Sequence, residues 1–178
     1  APGDDVLIDI GGAADPDQAL LLLVRILEAA DERNWRRLVS ALQADVDLRL
    51  RLIDVIGMSE ALGDFLARHL SSWSVLADAE ALAQAPSARG MREALLRAVG
   101  AIPGMDQPVA TSGGEAVLDA LRIAYRQALL GIAARDLSGL APMDTIAAWL
   151  SDLADAVLEA ALAVARAGVG EEYLTCRF

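Results

Sequence analysis

Residues 121–140 read LRIAYRQALLGIAARDLSGL, and the spacing of their apolar side chains decides the fold class. Leu121, Tyr125, Leu129 and Ile132 recur at helical intervals, which makes one stripe of a helix apolar. Arg122 and Arg126, four residues apart, share another face, and Arg135 with Asp136 falls near the end predicted before Gly139. Pro142 then starts a last helix of about 25 residues, roughly 38 Å long. Its apolar stripe is Ile146, Trp149 or Leu150, Leu153, Val157, Ala161 and Val164. Two long helices joined by SGLAP predict an antiparallel hairpin on which the earlier helices pack.

The composition agrees. Apolar residues make up 55% of the 178, but aromatics only 4%, and Ala and Leu, the best helix formers among them, dominate. The expected fold is all-α, an irregular helical bundle built on the long C-terminal hairpin. Residues 1–14 read as an extended lead-in in which Val6, Ile8 and Ile10 alternate, as a short strand or docked arm would. A single helical domain is expected over 15–178.

Several helix starts are written locally. Asp15-Pro16-Asp17-Gln18 combines an acid at the N-cap, proline in the first turn and glutamine in capping-box spacing, opening a helix to about Ala30 that buries Leu20, Val24 and Leu27. Further helices are predicted over 35–42, from Asp45 to Ile56 with Gly57 as the stop, from Ser59 to Leu70, and over 87–99. Short turns fall between Trp73 and Leu82. GAIPGMDQPVATSGG, residues 100–114, has prolines, glycines and no helical period, so it reads as a loop free to move. Ser112-Gly113-Gly114-Glu115 opens the long helix in capping-box spacing.

Charge narrows the function classes. Every one of the 15 basic residues is Arg, and the net charge is −11, so phosphate backbones are repelled and nucleic acid is not an expected partner. Leu20–Val24 is too short to span a membrane and no basic segment precedes it, so neither membrane nor signal peptide is expected. Cys176, the one cysteine, has no internal disulfide partner and fits a cytoplasmic location.

Residues that could carry chemistry have simpler readings. Asp45-Val46-Asp47 is an Asp-x-Asp, but it opens a helix instead of following a glycine turn on a strand, so N-capping is its expected role. Asp15-Pro16-Asp17 reads the same way, and Gly113-Gly114 has no Asp-x-Asp after it. Asp152, Asp155 and Glu159 share a helical face expected to be solvated. His69, the single histidine, suits a helix C-terminus, and Cys176 reads as a tail thiol. No catalytic, cofactor-binding or metal residue is expected. Arg122, Arg126 and Arg135 are the candidates for interdomain or partner docking, against a structural alternative of ion pairs with Asp119 and Asp136.

Leu-Arg-x-x-Tyr-Arg followed by Leu-x-Ile-Ala-Ala-Arg-Asp-Leu in 121–137 closely resembles the bacterial glutamine synthetase adenylyltransferases, the actinobacterial members most of all. GMSEALGDFLARHLSSW, residues 57–73, resembles a second family segment through Ser59, Leu62, Asp64, Leu66, Arg68, His69 and Trp73. Leu70 departs from it, standing where the family often has proline, which would let that helix run another turn. LSDLADAVLEAALAVARA (150–167) and DPDQALLLLVRILEA (15–29) resemble two further helices of the family, and the likeness covers most of 15–178.

The resemblance implies an N-terminal helical region ahead of a nucleotidyltransferase core. Such enzymes transfer AMP from ATP to a tyrosine of glutamine synthetase, and many also remove it. Their chemistry needs a glycine turn followed by Asp-x-Asp holding Mg²⁺, expected after the equivalent of Thr175-Cys176-Arg177-Phe178. This chain is therefore expected to be inactive alone, with that core and glutamine synthetase as its partners, and with ATP and Mg²⁺ bound only by the full-length enzyme. The alternative is a stand-alone helical protein-binding or regulatory module, and a third reading is a small-molecule regulator. A fragment predicts an exposed apolar or Arg-rich face on the last helix, a module a polar exterior, and a regulator a closed apolar pocket.

Overall fold

The computed structural model describes residues 2–169. Among these residues every regular element is a helix, as the Ala/Leu-rich composition predicts. The elements are α1 (Pro2–Gly11), α2 (Pro16–Ala29), α3 (Glu32–Ala44), α4 (Val46–Met58), α5 (Glu60–Arg68), a 3-10 turn (Leu70–Trp73), α6 (Ser74–Ala77), α7 (Ala79–Ala83), α8 (Ala88–Ala98), α9 (Glu115–Leu137) and α10 (Met143–Val169). They gather into two compact units. The first comprises the chain up to Gln84 with Ala133–Ala141, and the second comprises Ala85–Ile132 with the chain from Pro142 on.

In the first unit the local start signals act as read. Asp15, Asp45 and Ser59 each accept the backbone N–H three residues on, from Gln18, Leu48 and Leu62. Asp31 and Asp78 do the same for α3 and α7. The Gln18 side chain does not close a capping box. It crosses instead to donate to the Ile56 carbonyl at 2.8 Å, tying α2 to α4.

Three readings of this unit change. The stretch 2–11 is helical, not extended, because Ile10 is buried and Asp9 meets Arg49 of α4. Gly57 does not stop α4. It lies buried inside the helix, where a Cβ would come within 2.9 Å of the Ala13 Cβ, and Ser59 makes the boundary as both the C-cap of α4 and the N-cap of α5. Leu70 does not prolong α5. The helix ends at Arg68, His69 donates its N–H to the Phe65 carbonyl, and Leu70 starts the 3-10 turn.

Helix α2 packs on α4 and α5 through Ala19, Leu22, Leu23 and Ile26. Leu20 and Val24, expected inside, are 44% and 42% exposed. The run LLLLV is apolar on every side, so its period cannot choose a face. The choice is made by Gly63 of α5, where a Cβ would lie 2.5 Å from Leu22 Cδ1. Its missing side chain lets Leu22 sit fully buried there. Each such buried leucine contributes about 1.5–3 kcal/mol.

In the second unit α8 packs along α10. Met91, Leu95 and Leu96 are buried from α8, and Ile146, Leu153, Ala156, Ala160, Ala163 and Val164 from α10. The alanines on α10 keep this face flat enough for close helix packing. The two long helices α9 and α10 are both present, with residues 138–142 between them and Gly139 at φ +66°. On α9, Leu121 and Ile132 are buried as expected, but Leu130 is buried in place of Leu129, and Tyr125 is half-buried.

Loop 100–114 is tied down at its far end. The Ala110 N–H donates to the Ala163 carbonyl at 3.0 Å, Thr111 N–H to Val99, and Arg166 Nη1 to the Pro108 carbonyl. Gly113 lies so close to α10 that a Cβ would sit 2.6 Å from the Gly168 Cα. Ser112 is not the N-cap of α9, since its Oγ reaches only the Gly114 N–H and the helix starts at Glu115.

Candidate functional site

The three candidate docking arginines lie along α9 but are not brought together. Arg122 and Arg126 belong to the second unit and Arg135 to the first. Arg122 is exposed and pairs through Nη1 with Glu115 and Asp119, each at 2.6 Å. Arg126 is half-buried, with its guanidinium carbon 6.0 Å from the centre of the Tyr125 ring.

Arg135 is buried, and its Nη2 donates to the Ala81 carbonyl at 2.7 Å and the Gln84 carbonyl at 3.1 Å. These oxygens lie at the C-terminal end of α7, where helical carbonyls lack intrahelical partners. Burial lowers the guanidinium pKa from its ordinary value, but Arg stays charged in proteins. Arg135 thus clamps its own unit. The expected pairing with Asp119 holds for Arg122, and Arg135 bonds to the backbone oxygens of Ala81 and Gln84.

The tempting acids have structural work. Asp45 and Asp15 are N-caps, and Glu159 receives Arg92 of α8 in a two-pronged pair with both N–O distances at 2.5 Å. Arg92 also donates to the Pro103 carbonyl at 2.6 Å, so one guanidinium ties α8 to α10 and to the loop. The Asp152–Asp155–Glu159 face is therefore only partly solvated and borders a cleft of about 180 Å³ that Arg89 and Arg92 also line. A larger open cleft of about 500 Å³ is lined by Arg89, Arg92, Glu93, Arg97, Pro103 and Gly104. Arg89 and Arg97 both bond to Glu93, holding its carboxyl below the usual carboxylate range.

No group of three His, Cys, Asp or Glu side chains that could hold a metal occurs among the described residues. Asp15 and Asp45 are taken up as helix caps and Glu159 by Arg92, so these three acids do not form a Mg²⁺–nucleotide site.

The 57–73 segment is likewise structural. Ser59 caps, Leu62 and Leu66 are buried, Asp64 meets Arg25 at 3.3 Å, and Arg68 Nε donates to the Asp64 carbonyl. His69 stands at the helix C-terminus as read, with its ring 5.0 Å from that of Phe65. Cys176 lies outside the described residues.

Sequence reasoning missed one feature. Arg49 is buried on α4, donating Nε to Asp9 Oδ2 at 2.6 Å and Nη1 to the Leu42 carbonyl. Its position among Leu48, Leu52 and Ile53 was the available signal. On α10 an apolar face is exposed, as the fragment reading expects of the last helix, with Met143 (71%), Leu158 (68%) and Leu162 (49%) open.

A family model described as glutamate-ammonia ligase adenylyltransferase matches residues 49–177. Among curated proteins, the bifunctional glutamine synthetase adenylyltransferase/adenylyl-removing enzymes of Streptomyces avermitilis and Leifsonia xyli are each 41% identical to this chain, over 98% and 93% of its length. The protein of that description from Mycolicibacterium smegmatis is 38% identical over 90%. The chain spans 16% of the length of each of these relatives. No solved structure matches it significantly.

Proposed function

This chain belongs to the glutamate-ammonia ligase adenylyltransferase family, and from that premise we propose that residues 15–178 act as one accessory helical region beside a nucleotidyltransferase core. The whole cytoplasmic polypeptide would carry AMP from ATP to a tyrosine of glutamine synthetase, and remove it again, to regulate nitrogen assimilation. ATP and Mg²⁺ would be bound by the remainder of that polypeptide. The observation that carries this reading is the use of the candidate acids. In a chain matched over 49–177, Asp45 is an N-cap and Glu159 is held by Arg92, so both acids already have structural partners.

Arg122 and Arg126 are the side chains proposed to dock against the remaining polypeptide or glutamine synthetase. Arg122 is open to a partner's carboxylates by exchange with its own exposed acids. Arg135, the third docking candidate, is engaged within its own unit by the Ala81 and Gln84 carbonyls. The exposed apolar face of α10 favours this reading over a stand-alone module, whose exterior would be polar.

The test is incubation of the chain with radiolabelled ATP, Mg²⁺ and glutamine synthetase. No label should reach the synthetase. AMP transfer by this chain alone would overturn the accessory reading.

A further inference from the structure

Helix α10 has two apolar faces. One, carrying Ile146, Leu153, Ala160 and Val164, is buried in the second unit. The other is marked by Met143, Leu150, Leu158, Leu162 and Val169, all between 41% and 71% exposed. At 100° per residue, Leu158 stands about 200° round the helix from Ala160, so the two faces are nearly opposed. The acids Asp152, Asp155 and Glu159 gather on the edge beside Arg92 of α8. From Leu150 to Val169 the charged residues nearest the stripe are Asp155 and Arg166, on its edge beside Leu162.

We propose that this outer stripe of α10 is the docking surface for the nucleotidyltransferase core of the same polypeptide, an inference that rests on the accessory-region reading. Its chemistry selects an apolar protein surface. An apolar stripe edged by acids does not attract phosphates, and a chain of net charge −11 is repelled by anionic membranes.

Area selects a tethered partner over a separate chain. A 27-residue helix is about 40 Å long and 10–12 Å wide, giving about 400–500 Å² a side. Doubled, this falls below the roughly 1,200–2,000 Å² of stable interfaces between separate proteins. It lies within the roughly 600–1,500 Å² of interfaces between domains of one chain, where tethering supplies a high effective concentration. The relatives provide such a tethered partner, each being several times longer than this chain.

The experiment fuses this chain to the remainder of the Streptomyces avermitilis relative, in place of its matched region, and reads side-chain exposure along α10 by hydroxyl-radical footprinting, with the chain alone as reference. Met143 and Leu150 should be protected in the fusion, and Leu158→Glu with Leu162→Glu should remove that protection. Both positions are exposed, so the melting curve of the chain alone should not move. If it does, Leu158→Ser with Leu162→Ser replaces that pair. Unchanged protection in the variant fusion overturns the stripe as the docking surface and leaves the accessory reading standing. Absence of protection in the unaltered fusion also overturns it, as does a dimer of the chain alone that the substitutions dissociate, since a second copy would then cover the stripe. The accessory reading fails separately, through AMP transfer by this chain.

Discussion

Replacing Arg49 tests how the first unit holds its N-terminal helix. The Arg49 side chain is 10% exposed and that of Asp9 18%, and the Nε–Oδ2 distance is 2.6 Å. Arg49→Met keeps most of the volume but leaves the Asp9 carboxylate without its cation and the Leu42 carbonyl without its donor. Breaking a fully buried pair from one side costs about 3–5 kcal/mol. Water still reaches part of Asp9, so about 2–4 kcal/mol is expected here. For a chain of this size each kcal/mol shifts the melting midpoint by about 2–4 °C, giving a fall of about 5–15 °C. Adding Asp9→Asn removes the stranded charge, so the double variant should recover about half of the loss. A double-mutant cycle by urea denaturation, followed by circular dichroism and Trp35 and Trp73 fluorescence, would then give a coupling of about 1–2 kcal/mol. An Arg49→Met cost below about 0.5 kcal/mol, or strictly additive effects, would refute the claim that this pair docks α1 on α4.

Two further predictions follow from contacts in the helices and the loop. Gly113→Ala places a Cβ against the backbone of Gly168, which cannot rotate away, so loop 110–114 should lift and cost about 1–3 kcal/mol. Faster amide exchange at Ala110 is the readout, and unchanged protection there would count against the close approach. Burial raises the carboxyl pKa of Asp54. Its ionised form therefore opposes folding: the penalty is absent below the ordinary value of 3.8 and complete above the raised one. Asp54→Asn should raise the melting midpoint at pH 7 and lose that advantage in acid, while a benefit independent of pH would sink the account.

Local chemistry was legible in the chain and tertiary choices were not. The caps at Asp15, Asp45 and Ser59 need only a side-chain oxygen three residues before its donor, so sequence alone places them. Arg135 shows the opposite case. Its partners Ala81 and Gln84 stand more than fifty positions away, and no spacing rule connects them. The same holds for Gln18, whose local partner was available and was passed over for Ile56. Arg122 met its expected acids because they lie within two turns of the same helix.

The sequence by itself determined that this protein is helical, where most helices begin and which family it belongs to. Those properties depend on propensities, short spacings and residue identity, all carried within a few turns of chain. The tertiary structure decided which faces are inside. On α2 the run LLLLV is apolar all round, and the notch at Gly63 makes room for Leu22. On α10 both a buried and an exposed face satisfy the same periodicity. A helical period reports that an apolar face exists, while its partner is set by residues distant in sequence and close in space.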